Sequence, residues 1–229
     1  MCTSFVVNRQ SPIVGWNLDL LDMQYRVRTT PEGVFIEILD ATEGWMPLFG
    51  ANRRGDFVGM PTCWPQDARS DPKEDATHII HLDMDLLLQR KTLDEVRRIA
   101  ESGPVASVPG LTFMGALSDK DGNVLHIVPG QGTRYYARPS YCILTNFSPF
   151  KGDAERHPWM GLDRYRTAEA MLANAAEDFG VQDAFAVLRA VSQTVCPTVV
   201  SMVSDTKART VYWCNERRWD DIRSFTFAE

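Results

Sequence analysis

The chain has 229 residues, of which 44% are apolar and 24% charged, and it carries a formal net charge of −6. Those figures exclude a disordered or fibrous chain, and this length lets one domain spanning residues 1–229 bury a full core without disulfide or metal staples. There is no basic stripe to bind phosphates, so nucleic acid is not an expected partner. No run approaches the roughly 18 apolar residues of a membrane span, and the opening MCTSFVVNRQ lacks the basic and apolar regions of a secretory signal. The expectation is therefore a cytoplasmic protein with no membrane partner. The five cysteines (Cys2, Cys63, Cys142, Cys196, Cys214) are odd in number and scattered, with no C-x-x-C pair. That pattern fits a reducing compartment better than a disulfide framework or a zinc site.

Taken in chain order, the first sixty residues alternate apolar and polar positions between turn residues. This predicts short strands at 2–8, 12–17, 25–29, 33–39, 46–51 and 56–60. Residues 61–76 hold three prolines and many charges, and read as a long loop of the kind that often carries function. Thr92-Leu93-Asp94-Glu95 is a capping box ahead of Val96 and Ile99, so a helix starts there and stops at Gly103-Pro104. Asp121-Gly122 joins two apolar runs as a hairpin turn would, and strands follow at 133–137 and 141–146. Between 160 and 179 apolar residues recur at helical spacing, from Leu162 and Tyr165 through Ala168, Met171 and Leu172 to Ala176 and Phe179. Gly180 separates this helix from a second at 181–193, and strands near 198–204, 209–215 and 223–227 close the chain. With no internal repeat or low-complexity linker, patterning alone yields an α+β domain.

Cys2 is the position richest in chemistry. If Met1 is removed, the chain starts with a thiol of reference pKa about 8.5 beside an α-amine of about 7.7–8.0, so one residue supplies both nucleophile and base. Its company points the same way: MCTSFVV opens the chain, GWNLD follows at 15–19, GANRRG at 50–55 and ILTNFSPF at 143–150. In order and rough spacing these segments resemble the motifs of the choloylglycine hydrolase and penicillin V acylase family of N-terminal nucleophile (Ntn) hydrolases. The resemblance covers most of the chain.

The resemblance implies a four-layer αββα sandwich of two mainly antiparallel sheets. It also implies hydrolysis of a linear acyl amide through a thioester on Cys2, without cofactor or metal, the partner being a small-molecule acyl amide and a homo-oligomer being possible. Carried over position by position, Cys2 is the nucleophile, Asp19 holds the N-terminal amine and Asn146 donates to the oxyanion. The family's arginine near the nucleophile falls on Arg164 or Arg166. The two flank Tyr165 equally on a helix, so geometry leaves both open, while Asp163-Arg164-Tyr165 favours Arg164 by likeness. The second oxyanion donor, a backbone N–H, falls near Thr62 by count. Where many relatives have Gly-Arg-Asn, this chain has Gly15-Trp16-Asn17, and the indole is expected to line a pocket for a neutral, apolar acyl group, packing in the core being the alternative. An acyltransferase, or a silent relative that only binds an acyl ligand, are the alternatives.

His78-Ile79-Ile80-His81 places two imidazoles at i,i+3 without a third ligand, so no metal site is expected. His126 and His157 lack sequence context for a Cys–His dyad, although such a pair is made in space and not in sequence.

Overall fold

The structure is a computed structural model, and it describes residues 1–151 and 160–228, so His157 lies outside the described residues. Strands are numbered along the chain. One six-stranded sheet runs in the order β12 (Tyr141–Leu144), β1 (Cys2–Asn8), β2 (Pro12–Asp19), β13 (Thr198–Asp205), β14 (Thr210–Asn215), β15 (Arg223–Thr226). The seven-stranded sheet runs β11 (Gly132–Tyr136), β10 (Val124–Val128), β9 (Gly115–Ser118), β6 (Phe57–Gly59), β5 (Gly44–Asn52), β4 (Gly33–Asp40), β3 (Tyr25–Thr30). All pairings within both sheets are antiparallel. A short parallel pair, β7 (Thr77–His78) and β8 (Val105–Ala106), stands apart from them.

Strand side chains alternate between faces, and that alternation sorts the core into layers. Val6, Val14, Trp16 and Leu18 meet Val34, Ile36, Ile38 and Phe57 between the two sheets. The opposite face of the six-stranded sheet carries Phe5, Val7, Ile13 and Val203 under α3 (Leu162–Ala173) and α4 (Val181–Ala190). Phe35, Val58, Leu117 and Leu125 lie under α1 (Ile79–Leu87) and α2 (Leu93–Ser102). The result is the αββα sandwich. No helix among the described residues is long and apolar enough to cross a membrane.

The capping box at Thr92 forms as expected, with Thr92 Oγ1 accepting from the Glu95 N–H and the Glu95 carboxylate accepting from the Thr92 N–H. Two elements differ from the sequence expectation. α1 was not anticipated, because Ile79–Leu87 is so apolar that its period does not stand out. α3 ends at Ala173, short of 179, because residues 174–179 turn to bring Phe179 into the layer beneath α4.

α1 buries an acid. Asp83 is fully enclosed against the seven-stranded sheet, where a Cβ on Gly115 would come within 3.1 Å of Asp83 Oδ1. Neither carboxyl oxygen has a hydrogen-bond partner, and burial pushes the pKa well above the ordinary value of 3.8. A pKa raised on folding means that the native state holds its proton more tightly than the unfolded chain. The resulting stability is complete below pH 3.8 and is lost as pH rises toward the folded value, by about 1.4 kcal/mol per pH unit. Asp83→Asn should flatten this decline, as read from denaturant midpoints between pH 4 and 9; parallel profiles for the two proteins would mean that Asp83 does not titrate as described.

Candidate active site

Residues far apart in sequence meet at the end of the sandwich where β1 starts and β2 finishes. Cys2 opens β1 opposite Leu18, with its side chain in the layer between the sheets and only 4% exposed. Met1 extends the ladder, since the Asp19 N–H donates to Met1 O and the Met1 ammonium donates to Asp19 O, both at 2.9 Å. The same ammonium reaches Cys196 Sγ at 3.6 Å. Its pKa sits above the ordinary amine value: burial pulls it down, but Cys2, Cys196 and Asp19 outweigh that.

Asn146 follows β12, the neighbour of β1, and is completely buried. Its Oδ1 accepts from the Cys2 N–H at 2.8 Å and its Nδ2 donates to Thr62 O at 2.6 Å. The Cys63 N–H donates to Thr112 O and the Met114 N–H to Pro61 O, so the Thr62 N–H stands outside the pair of bonds that bracket it. The loop read from the sequence at 61–76 thus frames Asn146, and the Trp64 N–H also donates to Asn146 O.

Arg164, in the first turn of α3, is the arginine turned inward, whereas Arg166 is exposed. Its Nη1 donates to Cys2 O at 2.6 Å and to Thr3 Oγ1 at 2.8 Å, and its Nη2 donates to Asn146 Oδ1 at 2.8 Å. Gly161 makes this possible: it sits at φ +93°, and a Cβ there would lie 2.3 Å from Arg164 Nη2. Asp19 Oδ2 is 3.8 Å from Arg164 Nη1. The Asp19 carboxylate accepts from the Thr198 hydroxyl at 2.6 Å and from Gln193 Nε2. Burial raises its pKa to about 6, against the pull of Thr198, Arg164, the amine and Gln193. Cys2 is pushed up to about 11, chiefly by burial, with the amine and Arg164 opposing and Asp19 adding to the rise.

Cys2, Asp19, Asn146, Arg164 and the Thr62 backbone are therefore brought together. Trp16 is placed differently from the sequence expectation of a pocket wall. It is wholly buried, stacked on Phe49 at 5.7 Å between ring centroids, and packed on Gly59, where a Cβ would come within 2.6 Å of the indole. The alternation of β2 turns Trp16 into the layer between the sheets, and that layer is apolar and closed. Gln193, Cys196 and Thr198 were not identified from the sequence, because Gln193 and Cys196 lie on the connection between α4 and β13 and Thr198 opens β13, and none of them stands in a motif. No group of three or more His, Cys, Asp or Glu among the described residues could hold a metal. His78 instead caps α1, its Nδ1 accepting from the Ile80 N–H.

Two antiparallel sheets packed face to face between helical layers, with a cysteine opening the first strand, define the class: this is the Ntn-hydrolase fold. Solved structures that share it include a cysteine-to-alanine mutant of conjugated bile acid hydrolase from Clostridium perfringens, at TM-score 0.69 and 13% identity, covering 99% of this chain and 92% of that one. An arginine-to-leucine variant of the same hydrolase matches at TM-score 0.65 and 13% identity, covering 98% and 92%. Penicillin V acylase from Agrobacterium tumefaciens matches at 0.64 and 16%, covering 93% and 83%. At these identities the likeness is one of fold. No family model and no curated protein matches the sequence.

Arg164 is the buried cation that donates to three acceptors in this cluster, and removing it takes a hydrogen bond from each and leaves the buried Asp19 carboxylate without its guanidinium. Arg164→Leu should lower unfolding free energy by about 3–5 kcal/mol, with Arg164→Lys intermediate because one ammonium cannot span the fork. Denaturant unfolding measures this; a loss under about 1 kcal/mol would show that the hydrogen bonds contribute little.

Proposed function

We propose that this chain is an N-terminal cysteine amidohydrolase which, once Met1 is removed, cleaves a linear acyl amide through a thioester on Cys2. One observation supports the reading above the others: the Cys2 backbone nitrogen is already held by Asn146 Oδ1, inside a buried cluster that also contains a guanidinium and a carboxylate. A cysteine that merely fills a strand has no need of such partners. With Met1 attached, that nitrogen is a peptide N–H and cannot accept a proton. After Met1 loss it becomes an amine beside its own thiol.

In the proposed reaction the amine takes the thiol proton as Cys2 Sγ bonds to the substrate carbonyl carbon. The second Nδ2 hydrogen of Asn146 and the Thr62 N–H serve as donors for the oxyanion. The protonated amine then gives its proton to the leaving nitrogen, and water releases the acyl group from sulfur. Asp19, held by Thr198 and Gln193, orients the amine. The high thiol pKa of the Met1-bearing chain makes a resting thiolate unavailable, so proton transfer must be local.

The fold neighbours act under names that specify conjugated bile acids and penicillin V; here an apolar acyl group is proposed from the surface. Leu21, Met23 and Val195 are 56%, 51% and 88% exposed, three of the five exposed large hydrophobics among the described residues. They lie on two loops tied together by the Leu20 N–H to Pro197 O bond, beside Asp19 and Cys196. The second reading, an acyl-binding relative without turnover, is favoured by the neutral Trp16 where many relatives carry arginine.

Intact-mass spectrometry and turnover of N-acyl amines test the proposal. Met1 should be absent from active protein, and Cys2→Ala should abolish turnover with the fold intact. Asn146→Ala should cost about 10²–10³ in kcat with a smaller change in KM. Retained Met1, no acyl adduct and no turnover would favour the silent binder, and a product carrying a second amine would favour acyl transfer.

The apolar rim makes a separate prediction. Val195→Asp should raise KM for a long-chain acyl amide about tenfold while leaving kcat nearly unchanged. An equal fall in kcat would place Val195 in the chemistry instead of the binding surface.

A further inference from the structure

Beyond Cys2, the structure contains a second thiol with an imidazole partner. Cys142 Sγ lies 3.7 Å from His126 Nε2, across the gap between the two sheets. Cys142 belongs to β12 and His126 to β10, next to β11, so the pair sits where the outermost strands of both sheets come together. Cys142 is paired with Val6, four residues along β1 from Cys2, which at about 3.3 Å per residue is ~13 Å away. The pair is therefore separate from the site described above.

Cys142 is half-buried and opens onto a cavity of about 400 Å³, lined also by Arg134, Tyr136, Tyr141, Phe147 and Tyr165. No acidic side chain is among its described lining residues. Of the two lining cations, Lys151 is paired with Asp67 at 3.0 Å. Arg134 is exposed, makes no ion pair among the described residues, and lies over the Phe150 ring with its Nη1 donating to Pro149 O. His126 is 3% exposed, its ring edge-on to Tyr136 at 5.4 Å, and its Nδ1 has no hydrogen-bond partner.

We infer that Cys142, His126 and Arg134 form a second nucleophilic site, which binds small organic carboxylates bearing an electrophilic carbon and takes them onto the Cys142 sulfur. Arg134 anchors the carboxylate, and the aromatic walls cover the apolar body. In the covalent step Cys142 Sγ forms a bond to the electrophilic carbon, the leaving group departs with the electron pair of its own bond to that carbon, and the thiol proton passes to His126 Nε2.

The selectivity for anions has a second cause. Burial, then Arg134, lowers the His126 pKa to about 4, and burial raises the Cys142 thiol to about 12, so the resting pair is neutral. Moving the proton creates an imidazolium, and no acidic side chain among the described residues that line the cavity balances it. A bound carboxylate supplies that missing charge, whereas a neutral electrophile does not. The site stays quiet until its own kind of ligand arrives, and it operates whether or not Cys2 is a nucleophile.

Alkylation with iodoacetate and iodoacetamide, followed by peptide mapping of Cys142, provides the test, iodide being the leaving group for both. Iodoacetate should label Cys142 about tenfold faster than iodoacetamide, with rates that saturate in reagent. Arg134→Gln, an exposed change that leaves the fold alone, should erase the preference, and His126→Gln should slow both reagents. Equal or faster labelling by iodoacetamide, a preference that survives Arg134→Gln, or no labelling of Cys142 by either reagent would each overturn the inference.

Discussion

A guanidinium buried in a protein must be met by acceptors on nearly every side, and the position of Arg164 follows from that constraint. Its partners come from the start of β1, from the residue after β12 and, at longer range, from the end of β2. α3 can dock in only one register if those contacts are to form together, and Gly161 provides the backbone clearance for it. Helix packing and site geometry are therefore one problem at this end of the sandwich. The Cys2 carbonyl and the Asn146 side chain are held by a common group, so the two cannot drift independently.

The two thiols show how burial and company combine. Both Cys2 and Cys142 lie in low-dielectric surroundings that disfavour the thiolate, and both are pushed up for that reason. Near Cys2 the neighbours are charged: an amine and a guanidinium oppose the rise, while the Asp19 carboxylate, hydrogen-bonded by Thr198 and Gln193, adds to it. Near Cys142 the partner is an imidazole that burial keeps neutral. The same residue type in the same interlayer core thus sits in two electrostatic settings, one charged throughout and one that becomes so only with help from outside.

The strands were legible because period-two alternation survives even where both faces are covered; β1 was placed at 2–8 and occupies those residues. α2 was legible through its cap, which is a local signal. α1 was not, since Ile79, Ile80, Leu82, Leu86 and Leu87 leave too few polar positions to mark a helical face, and the acid on its inner side, Asp83, argues against burial. At the site, Cys2, Asp19 and Asn146 stood in recognisable motifs, and the choice between Arg164 and Arg166 needed the turn of α3 relative to the sheet. Gln193 and Cys196 are placed by the path of a loop and Thr198 by the pairing of β13 with β2, and the approach of His126 to Cys142 depends on how two sheet edges meet. None of these leaves a trace in sequence spacing.

Trp16 has one more consequence. Its ring occupies space that exists only because Gly59 has no side chain and Phe49 lies flat against it. Substituting arginine there would bring a charge into a closed apolar layer and leave a ring-sized void, so this position does not accept a guanidinium by a single exchange. Position 16 is therefore coupled to its neighbours: the facing sheet must be reshaped at Gly59 and Phe49 before a guanidinium becomes tolerable there. The guanidinium of the site thus arrives from a helix, as Arg164, and not from the strand beside Cys2.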